Sequence, residues 1–579
     1  MSHPSSPSDR DLISIGQARE QARRAKAVQP RLEQLTQVQV DAIVDAMATA
    51  AATQAEPLAA LAVDETGFGV VADKVQKNLF AARTVHEFIR PMKTVGVVSS
   101  LDDRRVLEIA QPFGVVAAVV PSTNPTSTTI YKILIAIKAR CALVISPHPS
   151  AVGCITRTAE LMNRAGLAAG LPDGALSWMQ TVTLEGTQEL MRHRDVALIL
   201  ATGGMDLVRA AYSAGKPAYG VGPGNAPAYI ERSADVVKAV RDIVTGKTFD
   251  NGLLCSSENS IVVDRTIANN VKHELEGQGA VFLSTTESGA LAKVLVTPQR
   301  LPSPTCVGKP ATEVAAAAGL TVPADTRVLV APLDGVGRDY PLSIEKLCPV
   351  LSFYVVDDWK EGCERCTEIL AYGGMGHTMA IHSRDDAIIL EFGLKKPASR
   401  IVVNTPTTLG AIGMTTGLDP AMTLGCGGYG GNITSDNISP KHLINIKRLA
   451  YEIRPAARVQ TSRETDSVAP APARPGIDPA TLAQRIDAFL LTRGVMPAAG
   501  TEPAQFAPEA PPAPPPPSTE AAPEPQAAVV EFVCEDDVRQ AIQDGRSIVV
   551  GDKTIVTPAA RDIAESHRVF KYAGLSTPR

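Results

Sequence analysis

The chain is poor in aromatic residues: they make up 4% of 579 positions, with two Trp. That leaves little for a platform of stacked bases. It is also short of net charge, since 56 Lys and Arg against 61 Asp and Glu give -5, so there is no basic footprint for nucleic acid. No apolar run approaches the roughly 18–20 residues that a membrane span needs. The start, Met1-Ser2-His3-Pro4-Ser5-Ser6-Pro7, lacks the charged and apolar regions of a secretory leader. Nine cysteines scattered through a long chain fit free thiols in a reducing compartment. A soluble, cytoplasmic protein with no nucleic-acid and no membrane partner is expected. Cys363 and Cys366 have CxxC spacing, but no second Cys or His pair stands at zinc-ligand distance. Trp359 to Leu370 therefore reads as a helix, and no metal site is expected.

What is present is the texture of an α/β protein large enough for several domains. Residues 15 to 90 carry apolar side chains at intervals of three and four, which predicts amphipathic helices. Short apolar runs such as Gly114 to Val120 and Cys141 to Ile145 then alternate with helical stretches such as Ser127 to Arg140, the pattern of βα units around a parallel sheet. The alternation recurs from Ile261 to Phe353 and predicts a second α/β domain. Near residue 457 the composition breaks. Residues 496 to 529 include Pro511-Pro512-Ala513-Pro514-Pro515-Pro516-Pro517, a stiff extended linker. Beside it, Asp478 to Leu491 reads as an amphipathic helix with Asp478 as N-cap and Leu482, Ile486, Phe489 and Leu490 on one face. Ser547 to Arg561 reads as a hairpin followed by a helix capped by Thr557.

A lone Cys in an apolar segment is most often a core residue. Cys255 sits in Lys247-Thr248-Phe249-Asp250-Asn251-Gly252-Leu253-Leu254-Cys255-Ser256-Ser257-Glu258-Asn259, where a tight polar entry suits delivery of a thiol into a cleft. Upstream lie Val120-Pro121-Ser122-Thr123-Asn124-Pro125, Ala201-Thr202-Gly203-Gly204, and Lys216 to Pro227 with Gly220, Gly222 and Gly224. Downstream lie Glu345-Lys346-Leu347-Cys348-Pro349-Val350, Met422 to Asn432, and Ser439 to Asn445. In this order the motifs resemble the aldehyde dehydrogenase superfamily over residues 15 to 455, and in it the CoA-acylating branch of acetaldehyde and propionaldehyde dehydrogenases.

The resemblance implies a fold and a division of the chain. Residues 1–225 would form a Rossmann-like NAD-binding domain with a β-flap segment near 101–112, and 226–420 an α/β catalytic domain. Residues 421–456 would return to the NAD-binding domain and the oligomerisation flap of a dimer or tetramer. The Pro-rich extension would comprise a linker at 457–529 with the helix 478–493, and a small module at 530–579. Such tails are similar to those that dock enzymes on shell or cargo proteins of bacterial microcompartments, which would be this protein's location.

The resemblance also implies roles. Cys255 would attack the aldehyde to give a thiohemiacetal, from which hydride passes to the nicotinamide and leaves an acyl thioester. The side chain of Asn124 and the backbone N–H of Cys255 would hold the oxyanion; the lesser alternative for Asn124, before Pro125, is a turn residue. Ser122, Thr123, Ser146, His148, Pro149, Thr202, Gly203, Gly204, Gly222 and Glu345 would line the cofactor site, with Glu345 on the nicotinamide ribose. His377 would belong to the active site or CoA pocket. Hydrolytic relatives carry a water-activating Glu at the position aligned here with Gly220, so the thioester would await coenzyme A. The short-chain aldehyde would be acetaldehyde or propionaldehyde. Pro149 stands where the family's adenosine-ribose carboxylate would be, which removes a repulsion against a 2′-phosphate; the family's habit favours NAD, and NADP stays open. Two rivals stand beside this: a hydrolytic dehydrogenase, and an inactive docking or scaffold protein.

Overall fold

The computed structural model describes residues 7–454, 530–567 and 569–572, with isolated residues between 478 and 489. The chain forms two compact units, Met1–Val459 and Gln460–Arg579. Among the described residues no helix is long and apolar enough to cross a membrane.

The first unit opens with the expected helices, Pro7–Glu33, Gln37–Thr53, Ala55–Thr66 and Val71–Leu79, the last running into a π turn at Phe80–Thr84. Gln37–Thr53 begins at a capping box, with Thr36 and Gln39 each satisfying the other's backbone N–H. The small and aliphatic faces of these helices, including Ala18, Ala22, Leu32, Ile43 and Met47, share one core with a five-stranded sheet. All its neighbours are parallel, in the order Leu176–Trp178, Leu143–Pro147, Val115–Val120, Val196–Thr202, Ala218–Val221. The chain winds outward from Val115–Val120 in one direction and then crosses to Val196–Thr202 on the other side. The carboxyl ends of those two strands flank a switch point, where parallel sheets hold ligands. Beneath it Lys132, fully buried, donates to the carbonyls of Val119 at 2.7 Å and Leu200 at 3.0 Å, pinning both strand ends. Burial pushes its pKa down to about 7.

A second parallel sheet has seven strands, in the order Ala280–Phe282, Val328–Pro332, Val350–Val356, Glu258–Asp264, Ala226–Ile230, Gly376–His382, Ala398–Val403. Glu258–Asp264 is buried at every position, as befits a parallel strand covered on both faces. Gly96–Leu101, Val106–Pro112 and Ile444–Ala450 form a third, antiparallel sheet. Cys363 and Cys366 lie in the helix Trp359–Tyr372 and pack in the core with Val262 and Ile369. Among the described residues no cluster of His, Cys, Asp or Glu could hold a metal.

In the second unit, Val530–Val533, Ile548–Val556 and Phe570–Tyr572 form a parallel sheet with Ile548–Val556 at its centre. The expected hairpin within Ser547 to Thr557 is therefore corrected to one continuous strand. Its turn residues are absorbed as a bulge, because Val530 pairs with Val550 while Phe532 pairs with Ile555. Gly551 N–H donates to Thr554 Oγ1 at 2.9 Å, and that hydroxyl donates on to Val530 O at 2.6 Å. The helix Pro558–His567 follows, with Thr557 Oγ1 accepting from Ala560 N–H at 3.3 Å. Val533, Val538, Ile548, Val550, Ala560 and Ala564 make a small core of their own. Asp478 Oδ2 accepts from Thr481 N–H at 3.2 Å, as a helix cap does; most of the expected helix 478–493, and the linker around it, lie outside the described residues.

Candidate active site

Cys255 is delivered by a turn that few sequences could hold. Asp250, Asn251 and Gly252 have φ of 49°, 54° and 73°, three left-handed residues in succession. For Asp and Asn this costs on the order of 1 kcal/mol each unless the surroundings fix it. They do. The buried Asp250 carboxylate accepts from Val70 N–H at 2.7 Å, from Lys74 Nζ at 3.0 Å and from Lys77 Nζ. Asp250 N–H donates to Asp73 Oδ2 at 2.8 Å, and Asn251 Nδ2 donates to Gly308 O at 2.9 Å. Beyond the turn Leu253 and Leu254 are buried, Ser256 Oγ donates to Thr408 O at 3.2 Å, and Glu258 enters the central strand of the second sheet. Cys255 is left half-buried between these anchors.

The thiol faces a cavity of about 440 Å³ where the carboxyl ends of the first sheet meet the amino ends of the second. Ser122, Thr123, Asn124, His148, Pro149, Thr202, Gly203, Gly204, Gly222, Cys255 and Glu345 all line it. Ser146 does not: its buried hydroxyl lies 2.8 Å from that of Thr187, which does. Asn124 precedes the helix Pro125–Lys138 but its side chain makes no capping bond. The amide oxygen accepts from Lys77 Nζ at 2.6 Å, and Nδ2 donates to Thr123 Oγ1 at 3.1 Å and, at a long 3.4 Å, to Leu253 O. A turn role thus leaves the Asn124 amide unused, and the structure uses it beside the cysteine turn.

Room for a dinucleotide is consistent with the backbone. At Gly204, which opens the helix Met205–Tyr212, an added Cβ would meet nothing within 4 Å, leaving its N-terminal amides open to a phosphate. His148 Nδ1 accepts from Ser150 N–H at 3.1 Å, so the proton of the neutral ring resides on Nε2.

On the other wall Glu345 Oε1 accepts from Gly224 N–H at 3.0 Å. Burial pushes its pKa up to about 8, against the pull of that N–H and of Lys247 and Lys346. Burial likewise pushes the Cys255 thiol up to about 12; Glu345 adds to the rise and Arg400 opposes it. Glu345 is the one carboxylate among the described lining residues. Gly220 is not on the wall, for a Cβ there would meet Val208 and Tyr212 behind the strand; strand parity puts Val221 on the cavity instead. Val221 and Gly222, which line the cavity there, carry no carboxylate either.

His377 is fully buried behind the cavity, with Gly224 between its ring and the Cys255 carbonyl. Nδ1 lies 3.0 Å from Thr378 Oγ1, whereas Nε2 has no protein partner. Burial, with the Arg400 charge, pushes its pKa down to about 3, so the ring is neutral at ordinary pH. Arg400 Nη2 donates to His377 O at 2.9 Å and Gly425 O at 2.6 Å, joining two site loops. Sequence reasoning missed Arg400, Lys74 and Lys77. The available signal was Lys74, Lys77 and Asn78 at helical spacing, a face that reads as solvent-exposed and is instead buried under the catalytic loop.

Two parallel α/β sheets meeting end to end over a cavity that holds a thiol define a two-lobed α/β enzyme. The model for the aldehyde dehydrogenase family matches residues 13–282. The bifunctional aldehyde-alcohol dehydrogenase AdhE of Escherichia coli K12 is 41% identical over 432 residues, 74% of this chain and 48% of that protein. This chain thus spans about half the length of such curated relatives. The acetylating succinate-semialdehyde dehydrogenase of Clostridium kluyveri is 37% identical over 74% of this chain and 94% of its own. Among solved structures, an acetylating aldehyde dehydrogenase from Geobacillus thermoglucosidasius is 49% identical with a TM-score of 0.76, covering 77% of this chain and 98% of that one. A propionaldehyde dehydrogenase from the Clostridium phytofermentans fucose utilisation microcompartment is 28% identical, TM-score 0.68, over 74% and 96%. The Rhodopseudomonas palustris propionaldehyde dehydrogenase with bound CoA and an acylated cysteine is 26% identical, TM-score 0.67, over 75% and 97%. The chain belongs to the aldehyde dehydrogenase family, and two of these relatives, from Clostridium kluyveri and Geobacillus thermoglucosidasius, are acetylating enzymes.

Proposed function

We propose that the protein oxidises a short-chain aldehyde, acetaldehyde or propionaldehyde, to its acyl-CoA with reduction of NAD. The observation that carries this is a half-buried Cys255 thiol sharing one cavity with Asn124, while Val221 and Gly222 supply no base for water. The Cys255 thiol gives its proton to solvent in the open cavity as Sγ bonds to the aldehyde carbon; the C=O π pair moves to the oxygen, where Asn124 Nδ2 and the Cys255 N–H would receive the charge. Ser122, Thr123, His148, Thr202, Gly203, Gly204 and Glu345 would hold the nicotinamide dinucleotide, which supplies the hydride acceptor when bound. The Nε2–H of His148 would donate equally to a ribose hydroxyl or a 2′-phosphate, so NADP stands beside NAD. The thioester is then exposed to a second thiol: the CoA sulfur bonds to the acyl carbon, the Cys255 sulfur leaves, and that sulfur, whose pKa burial holds high, takes the CoA thiol proton.

NADH formation from propionaldehyde, with and without CoA, tests the reading when joined to mass spectrometry of the product. Strict CoA dependence and an acyl-CoA product are expected. Acid formed without CoA would favour the hydrolytic alternative with Glu345 as the base, and no NAD reduction at all would favour the inactive scaffold.

The unit Gln460–Arg579 would dock the enzyme on shell or cargo proteins of a microcompartment, as the source of one structural relative suggests. Removing residues 457–579 is expected to leave turnover intact and abolish co-purification with shell proteins; loss of turnover would make the tail part of the enzyme. The antiparallel sheet exposes Val97, Ile446 and Leu449, which suits a dimer or tetramer; a monomer in light scattering of the full chain would remove this part.

A further inference from the structure

We infer that Lys77 is a positioning residue that aims the Asn124 amide at the developing oxyanion and ties it to the turn carrying Cys255. The inference rests on the role proposed for Asn124. An ammonium donates and never accepts, so the 2.6 Å contact from Lys77 Nζ requires the amide oxygen of Asn124 to face the lysine. Nδ2 must then face Thr123 and Leu253, on the side of the cysteine turn. Its 3.4 Å bond to Leu253 O is long enough to be surrendered to a charged oxygen, which attracts a donor more strongly than a neutral carbonyl. A cation on the amide oxygen also draws electron density from the nitrogen, and this makes Nδ2–H the better donor.

The same ammonium donates to Asp250, five residues before Cys255. Lys77 is fully buried, and Asp250 with it. One buried cation therefore joins the donor loop of the first sheet to the nucleophile turn of the second. Lys74 shares Asp250, at 3.0 Å, but it also donates to Thr123 O at 3.1 Å rather than to Asn124. Asn78, one residue on, accepts from Thr126 Oγ1 at 2.8 Å and donates to Ala55 O at 2.9 Å, so this helix face is committed to the Asn124 loop. The π turn that follows at Phe80–Thr84 is of a kind frequent at functional sites.

A double-mutant cycle on the full chain tests this. Asn124→Ala is expected to lower kcat about a hundredfold or more, the usual loss of one oxyanion donor. Lys77→Met, close in length but without a donor, is expected to lower kcat about tenfold to a hundredfold with the KM for NAD unchanged, and Lys77→Gln, which keeps an N–H, to recover part of that loss. In the Asn124→Ala background Lys77→Met should cost much less than in the wild type, because the amide it aims is gone and Lys74 still holds Asp250. Multiplying losses in the double variant, or wild-type kcat in Lys77→Met, would overturn the inference while leaving Asn124 in its role. Wild-type turnover in Asn124→Ala would overturn the role and the inference together. Should Lys77→Met fail to fold, Lys77→Gln alone and over Asn124→Ala completes the same cycle.

Discussion

Cys255→Ala is expected to abolish aldehyde-dependent NAD reduction, a loss on the order of 10⁴-fold or more, as for other groups that form the covalent intermediate. Folding should survive. The turn before it is held by the Asp250 carboxylate and the Asn251 amide, and the segment after it by Ser256 and by the buried strand Glu258–Asp264. None of these bonds uses the sulfur. Removing one half-buried thiol from such a frame costs about 1 kcal/mol, a shift of about one degree in the melting temperature of a unit this large. No neighbouring thiol can substitute: Cys426 is buried, donates to Leu424 O and does not line the cavity. Turnover at the wild-type rate in this variant would remove Cys255 as the nucleophile. The raised pKa makes a further statement about the wild type. A free cysteine ionises near 8.5, whereas a thiol held higher stays protonated longer, so iodoacetamide labelling of Cys255 should still be climbing above pH 9.

Legibility in the sequence followed the kind of constraint each residue obeys. Asn124, Cys255 and Glu345 stand in short local motifs, and the structure brings all three to one cavity. Helices and parallel strands were legible because hydrophobic period is a local property, as the helix Trp359–Tyr372 and the strand Val115–Val120 illustrate. Contacts that depend on tertiary placement were not. Lys74 and Lys77 look like the wet side of an amphipathic helix until Asp250 and Asn124 cover them. Gly220 and Val221 differ by one position, yet strand alternation sends them to opposite faces. Gly551 and Asp552 carry turn chemistry, but parallel partners on both sides hold Ile548–Val556 straight and the turn becomes a bulge. Ser146 lies in the loop motif that His148 occupies, and its hydroxyl contact with Thr187 has no local signature.

Gly224→Ala is expected to lower kcat a hundredfold or more, and the reason is space rather than backbone freedom. An added Cβ would lie 2.0 Å from the Cys255 carbonyl oxygen, 3.1 Å from its carbonyl carbon and 3.3 Å from the His377 ring. Two of these contacts are with main chain, so no side-chain rotation relieves them, and about 1 Å of movement is needed to restore ordinary contact. Gly224 itself has little room to retreat. Its N–H is held by Glu345 at 3.0 Å, and on the far side the loop at Gly374 comes so close that a Cβ there would sit 3.1 Å from the Gly224 carbonyl carbon. The strain must therefore move Cys255, whose thiol would swing relative to the Asn124 amide. A displacement of about 1 Å at reacting groups costs on the order of a hundredfold in rate. The loss should fall on kcat for the aldehyde and on the labelling rate of Cys255, while the NAD affinity of the first-sheet wall, built from Ser122, Thr202 and Gly204, changes little. Wild-type kcat in Gly224→Ala would mean that the cysteine segment relaxes freely, and the rigid placement of the thiol between its anchored turn and Gly224 would no longer hold.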